Sequence, residues 1–161
     1  MPESKAFSAK LMVDSGVDTF DCSMNYRALY SGHPEIVEQE MKLVREACKD
    51  IECKFIIEVA FLTDEQIVQA CRMCMDAGID WVKTSSGQFQ GPNMDQVKII
   101  LDTLKGSNTR CKVSGVKYPR PQNAFSFLTA GVEIIGTQGV TEIIESFDMF
   151  REMGILPEYA G

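Results

Sequence analysis

The chain has 161 residues, 45% apolar and 24% charged, which suits one soluble globular domain with a real core. A formal net charge of −7 argues against nucleic acid or an anionic membrane surface as the main partner. No apolar run approaches the roughly 18 residues of a membrane span, and the opening MPESKAFSAK holds no apolar stretch of the secretory kind.

Helical spacing is expected first over 4–15. An internal echo then sets the pattern of the chain. Residues 14–22 (DSGVDTFDC), 76–84 (DAGIDWVKT) and 129–137 (TAGVEIIGT) share one plan: a small residue or acid, a glycine, a β-branched residue, an acid and an apolar strand. The physical reading is a helix that ends at a capping glycine (Gly16, Gly78, Gly131), followed by a short loop into a strand. Two further strands are expected at 53–60 and 110–115, which makes five. Helices are expected at 34–50, where Ile36, Val37, Met41 and Val44 share a face, and at 94–104, 121–129 and 141–153. Thr63 and Gln66 form a capping box that opens a helix over 64–77. The tail, 154–161, is expected to be loose. Strict alternation of helix and strand implies a parallel sheet with right-handed crossovers, and nothing divides residues 1–161 into separate domains.

Six cysteines are present. Cys71 and Cys74 form a CxxC in mid-helix, whereas a redox CxxC opens a helix, so core packing is the expectation. The chain has one histidine, His33 in a turn, and no second CxxC, so no metal site is expected. This usage fits a reducing, cytoplasmic setting.

Strand parity locates the chemistry, because side chains alternate between faces. Phe20, Cys22, Phe55, Ile57, Val59, Val82, Cys111 and Val113 take the face suited to helices. Thr19, Asp21, Ser23, Lys54, Ile56, Glu58, Trp81, Lys83, Lys112 and Ser114 take the other. Four strands thus place an ionisable group, Asp21, Glu58, Lys83 or Lys112, away from the helices. A sheet covered by helices on both faces would be apolar there. The groups would instead converge inside a barrel wall. Lys83 sits at the C-terminal end of its strand, before Thr84-Ser-Ser-Gly87, where active sites of parallel α/β proteins lie. A lysine there suits attack on a carbonyl. The same four groups also fit a satisfied internal ion-pair network. Glu58 is expected to hold a lysine in place by pairing, and Trp81 to fill the barrel. Tyr26 and Arg27 are candidates for lining the mouth. Thr84, Ser85 and Ser86 read as turn residues, because no histidine base accompanies them.

The segments 20–29 (FDCSMNYRAL), 54–65 (KFIIEVAFLTDE), 81–87 (WVKTSSG), 111–115 (CKVSG) and 135–140 (IGTQGV) resemble, in order and spacing, motifs of the deoxyribose-phosphate aldolase family. The similarity runs over roughly 5–150. It implies a partial TIM-type (β/α) barrel whose five parallel strands correspond to the family's fourth to eighth. It also implies a class I aldolase with no metal or cofactor, since the imine itself is the electron sink. Lys83 would form the Schiff base, with Lys112 beside it and Asp21 shuttling protons with Lys112 through an ordered water. The reaction implied is reversible cleavage of 2-deoxy-D-ribose 5-phosphate to acetaldehyde and glyceraldehyde 3-phosphate. The substrate and phosphate residues implied are Gly87, Ser114, Gly115, Gly136, Gln138 and Gly139.

The chain departs from the family in three ways. The three preceding βα units have no counterpart in the sequence. The phosphate turns read Gly115-Val116 and Thr137-Gln138-Gly139, with Lys117 and Arg120 nearby as cations. Gln88-Phe89-Gln90-Gly91 follows the Schiff-base segment. Five parallel strands leave two open edges, which favours a homo-oligomer or a longer gene product. The alternative to an enzyme is an inactive aldolase-like remnant that oligomerises or binds a ligand. A barrel lyase acting on keto acids would want paired arginines, and Arg27, Arg72, Arg110 and Arg120 form no evident clamp.

Overall fold

The computed structural model describes residues 1–157. Helix α1 (Pro2–Asp14) leads into strand β1 (Thr19–Ser23) and the short helix α2 (Tyr26–Tyr30). Then come α3 (Pro34–Ala47), β2 (Glu52–Ile56), a 3-10 turn (Val59–Phe61) and α4 (Asp64–Asp76). The remainder is β3 (Trp81–Lys83), α5 (Met94–Leu104), β4 (Arg110–Ser114), α6 (Arg120–Thr129), β5 (Ile134–Gly136) and α7 (Val140–Glu152).

All neighbouring strands pair in parallel, in the order β1-β2-β3-β4-β5. The three echoed glycines hold φ of +87, +69 and +107 at Gly16, Gly78 and Gly131. Each ends its helix in the left-handed turn that glycine adopts without a Cβ penalty. Thr63 and Gln66 make the expected capping box, and Asn93 with Gln96 makes a second at α5.

The core lies between the sheet and the helices. Phe55, Ile57, Val82, Cys111 and Val113 from the sheet side meet Val37, Met41, Val44, Ile67, Val97 and Ile100 from the helices. Cys71 and Cys74 are fully buried there as free thiols. The helix-facing parity read from the sequence holds on every strand tested by these residues. The opposite face carries Asp21, Lys54, Trp81, Lys83, Arg110 and Lys112 and is a polar barrel wall.

Three expectations are corrected. The second strand stops at Ile56, short of residue 60, because Glu58 turns into the left-handed region at φ +57 and the chain enters a 3-10 turn. Helix α2 stands where no helix was expected, capped by Asn25, whose side chain accepts from the Ala28 N–H. The expected loose tail is tied down at its start, since the N–H groups of Ile155 and Leu156 both reach the Phe150 carbonyl. The rest of that expected tail, 158–161, lies outside the described residues. Trp81 is buried as expected, but its indole also lies under the Arg110 guanidinium at 3.8 Å.

Helix α1 is bolted to this frame by a buried carboxylate. Glu40 on α3 is 1% exposed, pairs with Lys5 at 2.7 Å and accepts from the Asn25 N–H. Lys5 also donates to the Ser23 carbonyl at the end of β1. No helix among the described residues is long and apolar enough to cross a membrane.

Candidate active site

Register brings the charged residues together. Lys83 and Lys112 are direct partners on β3 and β4, and Asp21 pairs with Lys54 on β1 and β2, two residues nearer the strand starts. The long Lys83 side chain reaches back so that Nζ lies 2.8 Å from Asp21 Oδ2. Lys112 Nζ is 3.7 Å from the same oxygen, and Lys54 Nζ is 3.9 Å from Asp21 Oδ1. One carboxylate therefore serves three ammonium groups. Lys54 is the most buried of the three and is further held by Thr19 at 2.6 Å and Glu52 at 3.2 Å.

The electrostatic consequence falls on Lys112. Burial, foremost, pushes its pKa below the ordinary 10.5; Asp21 pulls it back up, and Lys83 and Lys54 push it down again. An ammonium is hard to keep where desolvation and like charges act together.

The lysine pair opens into a cavity of about 570 Å³ at the C-terminal ends of the strands. Of the residues named from the sequence, Gly87, Ser114, Gly115, Gly136 and Gln138 line it with Lys83 and Lys112. Asp21 touches the lysines from the side, and Gly139 caps α7 just behind the lining. Gln88, Phe89, Gln90 and Gly91, where the sequence departs from the family pattern, form another wall.

Close backbone approach shapes this cavity. A Cβ on Gly91 would lie 1.9 Å from the Gly115 carbonyl oxygen, so the loops after β3 and β4 touch only because both residues are glycine. A Cβ on Gly136 would lie 2.3 Å from Ser114 Oγ and 3.6 Å from Lys112 Cε. Gly136 thus leaves the space in which the Ser114 hydroxyl lies.

The turn after Lys83 is tightly hydrogen-bonded. Thr84 and Ser85 hydroxyls both donate to the Ser114 carbonyl, and the Ser114 N–H returns a bond to Thr84 Oγ1. These are turn residues, as expected. Glu58 corrects another expectation. It is buried and pairs with no lysine among the described residues; its Oε1 accepts from the Ser86 N–H at 2.8 Å. Once the strand ends at Ile56, parity no longer applies to Glu58, and its carboxylate supports the turn that presents Lys83. Lys54 takes the place in the charged cluster that Glu58 was expected to fill.

Tyr26 and Arg27 do not line the lysine cavity. They border a separate groove with Tyr30, Phe61 and Leu62. Tyr26 stacks on Phe61 at 4.7 Å, and Phe61 meets Phe89 edge-on at 4.8 Å. This aromatic row joins the segments that follow β1, β2 and β3. Sequence reasoning missed it, since the three rings are far apart in the chain and share no periodicity.

No family model matches the chain. Curated relatives do. The deoxyribose-phosphate aldolase of Mycoplasma capricolum is 32% identical over 145 residues, covering 89% of this chain and 64% of its own length. That of Streptococcus uberis is 35% identical over 144 residues, with 89% and 64% covered. That of Finegoldia magna is 34% identical over 144 residues, with 89% and 67% covered. A solved structure from Coccidioides immitis, described as a deoxyribose-phosphate aldolase, superposes with a TM-score of 0.84 at 29% identity, over 92% of this chain and 59% of its own. The tetrameric deoxyribose phosphate aldolase from Aeropyrum pernix superposes with a TM-score of 0.77 at 26% identity, over 92% and 62%. This chain thus spans about 64% of the length of the first of these relatives, and its five strands form part of a TIM-type barrel wall.

Proposed function

This chain belongs to the deoxyribose-phosphate aldolase family, and from that premise we propose that it carries the Schiff-base machinery of a class I aldolase. Lys83 Nζ adds to the carbonyl carbon of the donor aldehyde; loss of water gives the imine. Removal of a proton from the neighbouring carbon gives an enamine, which attacks the acceptor aldehyde, and hydrolysis returns the lysine. Asp21 and Lys112 move the protons through an ordered water, with Lys112 suited by its lowered pKa to give and take one. The reaction is the reversible cleavage of 2-deoxy-D-ribose 5-phosphate to acetaldehyde and glyceraldehyde 3-phosphate. No cofactor takes part, because the imine withdraws the electrons.

One observation carries this reading: two lysines in register share one aspartate and both open into the same cavity. Gly87, Ser114, Gly115, Gly136, Gln138 and Gly139 surround the acceptor end in this scheme. The open outer edges of β1 and β5, with Phe7 and Leu11 exposed on α1 and Ile144 and Met149 on α7, support self-association or cover by further barrel units.

The test is imine trapping. The protein is incubated with acetaldehyde, reduced with borohydride and mapped by mass spectrometry, with Lys83→Ala as the control. An adduct on Lys83 is expected. A folded sample with no adduct, or an adduct that persists in the control, would overturn the assignment.

A further inference from the structure

We propose that Lys54 is a positioning residue for the lysine pair: it holds one oxygen of Asp21, which leaves the other to Lys83 and Lys112, and it keeps a third positive charge beside them. This rests on the aldolase reading of the cavity and adds to it a buried group that sets the charge balance there.

Lys54 is not among the residues that line the lysine cavity, and its side chain is only 6% exposed. Burying an ammonium is costly unless it is paired and hydrogen-bonded. Lys54 is both. Its Nζ donates to Thr19 Oγ1 at 2.6 Å and to Glu52 Oε2 at 3.2 Å. The other Glu52 oxygen accepts from Arg110 Nη2 at 2.6 Å. The Arg110 guanidinium lies over Trp81, which is the register partner of Lys54. Contacts from β1, β2, β3 and β4 thus fix this amine without help from Asp21.

From that anchored position Nζ lies 3.9 Å from Asp21 Oδ1, while Asp21 Oδ2 lies 2.8 Å from Lys83 and 3.7 Å from Lys112. At 3.9 Å the Lys54 contact is one of charge rather than a hydrogen bond. It still places a cation at each oxygen, so the carboxylate cannot turn without losing one of them. A structural ion pair would be complete with Glu52; the reach to Asp21 ties Lys54 to the reacting groups.

The charges on the wall with Lys112 are Asp21 from β1, Glu52 and Lys54 from β2, Lys83 from β3 and Arg110 from β4. Strand β5 carries none, and Lys117 and Arg120 line the cavity after β4. Burial, foremost, lowers the Lys112 pKa; Asp21 raises it, and Lys83 and Lys54 lower it. Without Lys54, one like charge is gone and Asp21 answers to two amines instead of three. Both changes favour the protonated form of Lys112.

The experiment reads Lys112 directly. Lysine Cε is labelled with carbon-13 and titrated by NMR without substrate, and Lys112→Met identifies the signal. In Lys54→Met the Lys112 midpoint should move to higher pH. Exchange of the acetaldehyde methyl protons for solvent deuterium reads the proton transfer itself, and its pH profile should move in the same direction. A midpoint that stays or falls overturns the proposal, because a merely structural lysine would cost stability and leave the titration in place. Glu52 keeps Arg110 in this variant, so no carboxylate is stranded. Lys54→Gln, which retains a donor for Thr19 and Glu52 without the charge, serves as the second variant should the first fold poorly, and the same upward shift is expected. If acetaldehyde gives no adduct on Lys83, the Schiff-base reading fails while the Lys112 titration still decides the role of Lys54. An adduct with an unmoved midpoint keeps that reading and overturns this inference.

Discussion

Asp21 and Lys83 lie 62 residues apart in the chain, yet Asp21 Oδ2 and Lys83 Nζ are 2.8 Å apart. Asp21 lies within 4 Å of three lysine ammonium groups, so replacing it should disturb all of them. In Asp21→Asn the group that raises the Lys112 pKa is gone. The pH profile of imine trapping should therefore shift to lower pH, and stability should fall by about 2 kcal/mol, as repulsion among the ammonium groups is left uncompensated. An unshifted trapping profile would remove Asp21 from the proton chemistry.

Lys112 makes the opposite prediction for stability. Its pKa in the folded chain is below the ordinary 10.5, so the unfolded chain binds the proton more tightly. The resulting penalty is absent above pH 10.5, grows as pH falls toward the lowered folded value, and is complete below it. Lys112→Met should therefore melt higher than the native chain at pH 7 while, on the proposed mechanism, losing nearly all aldol activity. Equal melting temperatures at pH 7 would contradict the first half.

The cysteines govern the alkaline side. Burial, foremost, pushes Cys22, Cys53, Cys71 and Cys111 from the ordinary 9.0 up to about 12, and Cys74 well above its ordinary value. The raised values stabilise the fold fully below pH 9.0, and that stabilisation is lost as pH rises toward about 12. Each such thiol removes about 1.4 kcal/mol per pH unit in that window. Circular dichroism should show a steep unfolding transition above pH 9, in which the thiol losses outweigh the gain from Lys112. A thiol reagent at pH 8 should label the native chain slowly and the denatured chain at once.

Glu58 offers a test of support without contact to the cavity. Its carboxylate accepts from the Ser86 N–H, and its left-handed φ costs about 1 kcal/mol in a residue with a side chain. Glu58→Ala keeps the strained backbone and removes the acceptor. A loss of about 2 kcal/mol in stability is expected, with slower trapping at Lys83. Glu58→Gln keeps an acceptor oxygen and should trap at close to the native rate; a severe defect there would mean that charge, rather than the hydrogen bond, matters.

Lys5 guards the buried Glu40. Lys5→Met strands that carboxylate and should cost roughly 3 kcal/mol. The double variant with Glu40→Gln should recover much of the loss, which denaturant titration of the four proteins would measure.

The sequence was most informative where a rule of geometry repeats. Three glycine-acid echoes marked three strand entries, and alternation put Lys83, Lys112 and Asp21 on one wall. Alternation failed at Glu58 because it assumes a continuing strand and cannot see where one stops. Helix α2 is five residues long, too short for a 3.6-residue period, although Asn25 was a readable cap. The stack of Tyr26, Phe61 and Phe89 depends on loop paths that no local pattern encodes.

The register of Lys83 with Lys112 also separates two kinds of change. Their spacing derives from hydrogen-bonded neighbouring strands, which lie about 4.8 Å apart, while the cavity walls are loops and helix starts. Substitutions in those walls can reshape the cavity without moving either amine. Mutational drift in this chain should accordingly be tolerated at residues 88–90 and 137–138, with the two amines held at constant separation, so a library confined to those positions would sample new cavity shapes around an unaltered lysine pair.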